Sequence, residues 1–190
     1  MRQLLGIIAI VLAVSGCHRT SPQSPSQRSS GTPQSDSTLI ALMEVNRRMA
    51  SEADKLLLHM ADSLTRTTGV VYAQMSCGGW KSKRTPEERD KAMYAKTPGR
   101  QEKWRVRIKT FHLDGRLATD TESEYAVRRY ELPIVVEEAI EDMHSGEHTT
   151  VLSPWYCAYG VHGNDFIAPY ENVIIEVILG ECTFAPFPDK

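Results

Sequence analysis

Between Trp104 and Thr110 the side chains alternate. Trp104, Val106, Ile108 and Thr110 fall on one side of an extended chain, and Arg105, Arg107 and Lys109 fall on the other. A period of two marks a strand with one face covered and one face wet. Asp114-Gly115 follows, a turn signal that sends the chain back antiparallel, so a return strand over about Leu117 to Glu122 is expected. The apolar face of such a sheet must be buried against another element. Pro133 to Met143 supplies one: a short helix with proline at its start, Val135, Val136, Ala139, Ile140 and Met143 on one stripe, and Gly146 to break it. Thr149 to Leu152 reads as a further strand. A loop rich in glycine and aromatic residues then runs to Pro169, and the almost wholly apolar Val173 to Leu179 closes the chain as a strand. The expected fold class is α+β, an antiparallel sheet wrapped around one short helix.

A helical segment, residues 37–66, is expected ahead of this sheet. Leu42, Val45, Met49, Ala53, Leu56, Met60 and Leu64 recur at steps of three and four, which puts them on one face. Asp36 or Ser37 can cap its start, and Ser51 with Asp54 forms a second capping pair that would divide it into two helices meeting near Ser51. The stripe fits a helix packed on its own domain and equally a homodimer arm through residues 39–64. Gly69 to Ser76 is β-prone and ends at Gly78-Gly79. Lys81 to Lys103 is strongly polar and reads as a solvated insertion. Within it Thr85-Pro86-Glu87-Glu88 is a helix start, and a short helix is expected from Pro86 to Tyr94.

Three segments in order carry a family resemblance: EEAIEDMHSGE (Glu137 to Glu147), SPWYCAYG (Ser153 to Gly160) and FIAPYENVIIEVIL (Phe166 to Leu179). The set resembles FKBP-type peptidyl-prolyl cis-trans isomerases, which have a short helix ending in Met-x-x-Gly, a strand, an Ala-Tyr-Gly turn, a loop and a Val-rich closing strand. Asp114-Gly115 stands where the family's first hairpin turns, and VVYAQMSCG is similar to its entry strand. The similarity covers about residues 67–182, with the polar insertion 81–103 inside it and a tail, 183–190, beyond. The layout also resembles lipid-anchored members, some of the gliding-motility-associated type, that carry a helical segment before the domain.

The resemblance implies rotation about X-Pro bonds of polypeptide clients, chemistry that needs no cofactor and no metal. It assigns catalytic positions to Tyr159, Phe166 and Ile167. It assigns the substrate pocket to Leu132, Val136, Ile175, Ile108 and Asp120. Several positions depart from the family pattern. Ile108 replaces a tyrosine, Ala118-Thr119 replaces Phe-Asp with Asp120 one residue away, and Val136 replaces the tryptophan of the pocket floor. Pro133 stands where a backbone N–H normally holds a substrate carbonyl, and proline has none. These departures suit an alternative, a catalytically weak or inactive FKBP-like chaperone or scaffold that binds client peptides. His144 and His148 are four apart, but Gly146 between them argues against a helical metal pair. Trp155 and Tyr156, beside Pro154, are positioned either to contact a client or to be buried.

The first residues, MRQLLGIIAIVLAVSGC, have a positive start and an apolar run, Leu4 to Val14, shorter than the roughly 20 residues that span a bilayer. Val14-Ser15-Gly16-Cys17 resembles the lipobox of bacterial lipoproteins. That implies a signal peptide, residues 1–16, and lipidation of Cys17. His18 to Asp36 is rich in Ser, Pro, Gln and Thr and is expected to be a disordered leash spanning roughly 25 Å. The implied location is the cell envelope, anchored by lipid. His18 is not the aspartate tied to inner-membrane retention, which points to the outer membrane facing the periplasm. A formal charge of -2 gives no basic field for nucleic acid. Beyond Cys17 there are three cysteines, Cys77, Cys157 and Cys182, so an oxidising compartment allows one disulfide, of open pairing, and leaves one thiol over.

Overall fold

In a computed structural model, which describes residues 33–92 and 95–185, the chain runs α1 (Pro33–Thr68), β1 (Tyr72–Gln74), β2 (Trp80–Ser82), α2 (Pro86–Ala92), β3 (Lys103–His112), β4 (Leu117–Ala126), α3 (Ile134–Glu141), β5 (His148–Ser153) and β6 (Val173–Phe184). A single 3-10 turn, Trp155–Cys157, follows β5. The strands form one antiparallel sheet in the order β1-β2-β5-β6-β3-β4. This is the expected α+β layout. The expectations for Cys17, the signal peptide and residues 17–32 of the leash lie outside the described residues.

The alternation in β3 does what its period requires. Trp104, Val106, Ile108 and Thr110 are buried, and Arg105, Arg107 and Lys109 point the other way into ion pairs with Glu181, Asp120 and Glu176. The hairpin turns at Gly115, whose φ of 86° is the left-handed conformation glycine permits. On the covered face, β5 adds Val151, and β6 adds Val173, Ile175, Val177 and Leu179. Helix α3 closes this core with Val135, Val136, Ala139 and Ile140, followed by Met143. Pro133 is the cap residue before α3, and its carbonyl accepts from the Val136 and Glu137 amides at 2.9 and 3.1 Å.

Helix α1 corrects the sequence reading in three ways. It is one uninterrupted helix rather than two meeting near Ser51, because Asp54 is not used as a cap: its carboxylate accepts a hydrogen bond from the Tyr156 hydroxyl. It starts at Pro33, inside the stretch expected to be leash, consistent with proline's preset φ at a helix start. Its buried face is Ala53, Leu57 and Ala61, with Met60 and Leu64 partly covered, whereas Leu42, Val45 and Leu56 are exposed. The reason is reach: the sheet extends under only the C-terminal half of the helix, and there it offers Leu152, Ile174, Tyr72, Trp80 and Leu113. Gly69, at φ 75°, ends the helix with its N–H on the Thr65 carbonyl at 3.0 Å.

The polar stretch 81–103 is also more than a solvated insertion. Trp80–Ser82 is a strand because it pairs with β5, Trp80 opposite Leu152 and Lys81 opposite Val151. Lys81 Nζ donates to the Ala139 carbonyl at 2.9 Å, and Arg84 makes a two-pronged contact with Glu147 at 2.7 and 3.0 Å. Its expected helix is present over Pro86–Ala92, with Tyr94 outside the described residues, and the capping pair is reciprocal: the Thr85 amide donates to Glu88 at 2.7 Å, and the Glu88 amide to Thr85 Oγ1 at 3.3 Å. Strand β6 runs to Phe184, so Thr183 and Phe184 belong to the sheet rather than to a tail.

Three carboxylates staple the segments between these elements. Glu102 accepts from the Gly99 amide at 2.8 Å and the Trp104 indole at 2.9 Å. Glu138 of α3 accepts from the Ser76 and Cys77 amides at 2.5 and 2.9 Å. Glu171 accepts from the Ala168 amide at 2.8 Å and meets His112 Nδ1 at 2.5 Å. Burial alone would push each carboxyl pKa up. The hydrogen bonds outweigh it, and each stands below its ordinary value of 4.5. A lowered folded-state pKa gives stability that is complete above about 4.5 and is lost as pH falls through the folded-state values. Urea unfolding is therefore expected to show a midpoint that drops below about pH 4.5. Glu138→Gln should be less stable at pH 7 and lose less on acidification. An acid loss as large in Glu138→Gln as in the native chain would contradict the assignment.

Candidate functional site

The segment from β5 to β6 is irregular, and its shape comes from backbone turns tied down by side chains. The 3-10 turn places the Gly160 amide 2.7 Å from the Trp155 carbonyl, and the Trp155 amide donates to Asn172 Oδ1 at 2.9 Å. Tyr159 leaves this turn towards β3. Its hydroxyl is 2.9 Å from Thr110 Oγ1, with either able to donate, and Thr110 is fully buried on the covered face of the strand.

Beyond Tyr159 the chain doubles back. Gly163 has φ 62°, and a Cβ there would fall 2.2 Å from the Ile167 carbonyl oxygen, so only glycine fits. Asn164 Oδ1 accepts from both the Phe166 and Ile167 amides at 2.8 Å, and the Asn164 amide donates to the Ile167 carbonyl at 2.9 Å. This asparagine turn sends two neighbouring apolar side chains in opposite directions. Ile167 is 1% exposed and enters the core; Phe166 is 62% exposed and stands in solvent. The far end of the loop is held by Glu171, as above, and by the Tyr170 hydroxyl, which donates to Asn46 of α1 at 3.1 Å.

Most of the residues singled out in the sequence are brought together. Ile108, Val136, Ile167 and Ile175 are buried in one cluster, and Tyr159 and Leu132 pack against it, half-buried. Phe166 adjoins the cluster through Ile167. Asp120 is not part of it. Arg107 and Asp120 occupy the outer face of the β3-β4 hairpin and pair at 2.7 and 2.9 Å, while Ile108 and Thr110 occupy the inner face. Side chains alternate along a strand, so the one-residue offset of this aspartate from the family pattern turns it away from Tyr159. Val136 and Ile175 are 0% exposed and form the wall behind the site rather than its surface.

Two groups escaped the sequence reading. Thr110 was legible as a buried-face residue but not as the partner of a tyrosine 49 positions away. Ile134, 51% exposed, begins α3, and the first N–H groups of a helix have no acceptor within it. A backbone donor with no acceptor inside its helix thus stands one residue after Pro133. Of the two aromatics beside Pro154, Trp155 is 7% exposed and stacks edge-on against Tyr156 and Tyr170, with centroids 5.4 and 4.8 Å away. Tyr156 is half-buried, and burial together with its bond to Asp54 raises its pKa and keeps the phenol protonated. A cavity of about 230 Å³ opens between this group and α1, lined by Met49, Glu52, Ala53, Leu56, Trp155, Tyr170 and Asn172.

No family model matches the chain, and no curated protein matches it by sequence. Solved structures do. A peptidyl-prolyl cis-trans isomerase from Pseudomonas syringae pv. tomato str. DC3000 superposes with a TM-score of 0.51 at 18% identity, over 70% of this chain and 94% of that one. FkpA from Escherichia coli superposes with a TM-score of 0.56 at 16% identity, over 83% of this chain and 76% of that one. At these identities the likeness speaks for architecture. The six-stranded antiparallel sheet, the short helix against it and the N-terminal helix make this an FKBP-like α+β fold.

Proposed function

We propose that this chain is an FKBP-type peptidyl-prolyl cis-trans isomerase that assists the folding of exported proteins from a lipid anchor. The observation that carries the reading is the arrangement at Tyr159. A hydroxyl held by Thr110, an exposed Phe166 and the N-terminal end of α3 at Ile134 are all borne by elements that close one apolar cluster.

Those parts suit the reaction. Rotation about an X-Pro bond meets a barrier of roughly 18–20 kcal/mol because amide resonance is lost on twisting. The twisted amide is less polar than the planar one, so apolar surroundings favour it over the ground state. Phe166 and Leu132 supply apolar surface for the proline ring. The Tyr159 hydroxyl and the Ile134 N–H are donors for the carbonyls that flank the twisting bond. The Ile134 amide takes the part that Pro133 cannot. No proton is transferred and no bond is broken.

A prolyl isomerisation assay on a short X-Pro peptide tests this. The native chain should accelerate the reaction. Tyr159→Phe should lower kcat/KM by about tenfold, the equivalent of one hydrogen bond worth roughly 1.4 kcal/mol. Phe166→Ala should raise KM, and Asp120→Asn should change nothing. A folded chain without acceleration sinks the enzyme. The complete burial of Val136 and Ile175 favours a second reading in that event. With an aliphatic floor out of reach, the surface is shallow and suits a chaperone or scaffold that holds client peptides.

The anchor belongs to the same proposal. Its support is the lipobox-like Val14-Ser15-Gly16-Cys17, and the outer membrane facing the periplasm is the location it suggests. Full-length protein should partition into detergent and carry acyl mass on Cys17, and Cys17→Ser should be found in the aqueous phase. Equal partitioning of the two would remove the anchor.

The partner of α1 is a second copy of this chain. Leu39, Leu42, Val45 and Met49 follow one another at steps of three and four along the half of the helix the sheet does not reach, the spacing of a two-helix seam. Sedimentation should give a dimer, and Leu42→Glu with Val45→Glu a monomer. A monomeric native chain would refute the seam.

A further inference from the structure

Cys77 and Cys157 are 80 positions apart in sequence and meet in the fold, both as free thiols. Cys77 lies in the turn between β1 and β2. That turn is closed by the Met75 amide on the Gly79 carbonyl at 2.8 Å and the Gly78 amide on the Met75 carbonyl at 3.1 Å. Glu138 holds the Ser76 and Cys77 amides from the side of α3. Gly78 has φ 102°, and a Cβ there would lie 2.5 Å from the Tyr156 hydroxyl, so the turn passes hard against the residue next to Cys157. Cys157 is 3% exposed, and its thiol donates to the Cys77 carbonyl oxygen; Cys77 is half-buried and reachable from solvent. Nothing in the isomerase reading uses either sulfur.

We infer that Cys77 and Cys157 are a redox pair that closes to an intramolecular disulfide on meeting a disulfide oxidant, either a small molecule or a protein. The two residues are in contact, with Cys157 Sγ donating to the Cys77 carbonyl oxygen, and the roles divide by what each thiol meets. The neighbouring Cys157 thiol lowers the Cys77 pKa against the opposing effects of burial and Glu138. The neighbouring Cys77 sulfur, with burial, raises that of Cys157. Cys77, the one of the two that solvent reaches, is therefore the attacking thiolate, its proton released to water. It forms a bond to one sulfur of the oxidant, whose S–S bond breaks and whose other half leaves as a thiolate. Cys157 gives its proton to that leaving thiolate and attacks the Cys77 sulfur, releasing the second half of the oxidant, which takes up a proton from water. Two electrons pass from the pair to the oxidant, with one proton directly from Cys157 and one by way of water from Cys77, and the oxidant ends as two thiols. Cys182 has no part in this; its Sγ lies 3.5 Å from the Phe184 carbonyl at the end of β6.

The test uses the full chain in detergent, reduced and then exposed to oxidised glutathione, with free thiols blocked before tryptic mapping by mass spectrometry. The expected map links the peptide bearing Cys77 to the peptide bearing Cys157. Closing so long a loop should raise the melting midpoint by about 10 °C over the dithiothreitol-treated protein. Cys182→Ser should keep both the link and the shift, and Cys77→Ser should lose both. Should Cys77→Ser fail to fold, the native map decides alone. A link from either residue to Cys182, a glutathione adduct persisting on Cys77 beside a free Cys157, or two unlinked thiols after oxidation would overturn the assignment. The result is independent of prolyl isomerase activity.

Discussion

Strand β6 is paired on both sides, to β5 and to β3, and it is apolar on both of its faces where helices cover it. Everything else follows from that double burial. Val173, Ile175, Val177 and Leu179 face α3, and Ile174 faces α1. With a side-chain period of two, a slip of one residue would exchange these sets and send Glu176 into the α3 core. The register is therefore fixed by hydrophobic burial worth about 25 cal/mol per Å² of apolar surface, acting on both sides of one strand. A strand covered on one face would leave the chain without a place for α1.

The loop between β5 and β6 inherits its geometry from that fixed frame. Its backbone closes a series of turns, and polar side chains tie those turns down: Asn164 at its tip, Glu171 and Asn172 at its base, Asn46 from α1. Each such bond contributes on the order of 1 kcal/mol net. Acting together they hold Phe166 outward and Ile167 inward on adjacent residues, an arrangement that packing alone does not produce.

Much of this was legible in the sequence, and the pattern of what was legible is physical. The alternation in β3, the Asp114-Gly115 turn, the inward stripe of α3 and the Thr85–Glu88 capping box are local codes, and each appears as written. Strand β2 carries no such code. Trp80-Lys81-Ser82 is extended because Leu152 and Val151 lie opposite it, a tertiary cause. Periodicity in α1 gives a stripe but not the length of the surface waiting for it. At the candidate site, Ile108, Val136, Ile167 and Ile175 could be gathered because they are apolar, and apolar residues share one core. Thr110 could not be paired with Tyr159 because nothing local links them. Asp120 adjoins the family position in sequence, but parity along the strand puts it on the face opposite Ile108 and Thr110.

Helix α1, 36 residues and ~54 Å long, touches the rest of the molecule at two kinds of place. Its inner half is glued to the sheet by Leu57 and Ala61, and its polar side chains Asp54 and Asn46 hold Tyr156 and Tyr170 at either end of the loop that bears Phe166. Helix and loop are thus two arms of one balance. Any grip on the helix that steadies these two tethers lowers the entropy the loop has left to lose, and by thermodynamic reciprocity an occupant that stills the loop tightens that grip by the same free energy.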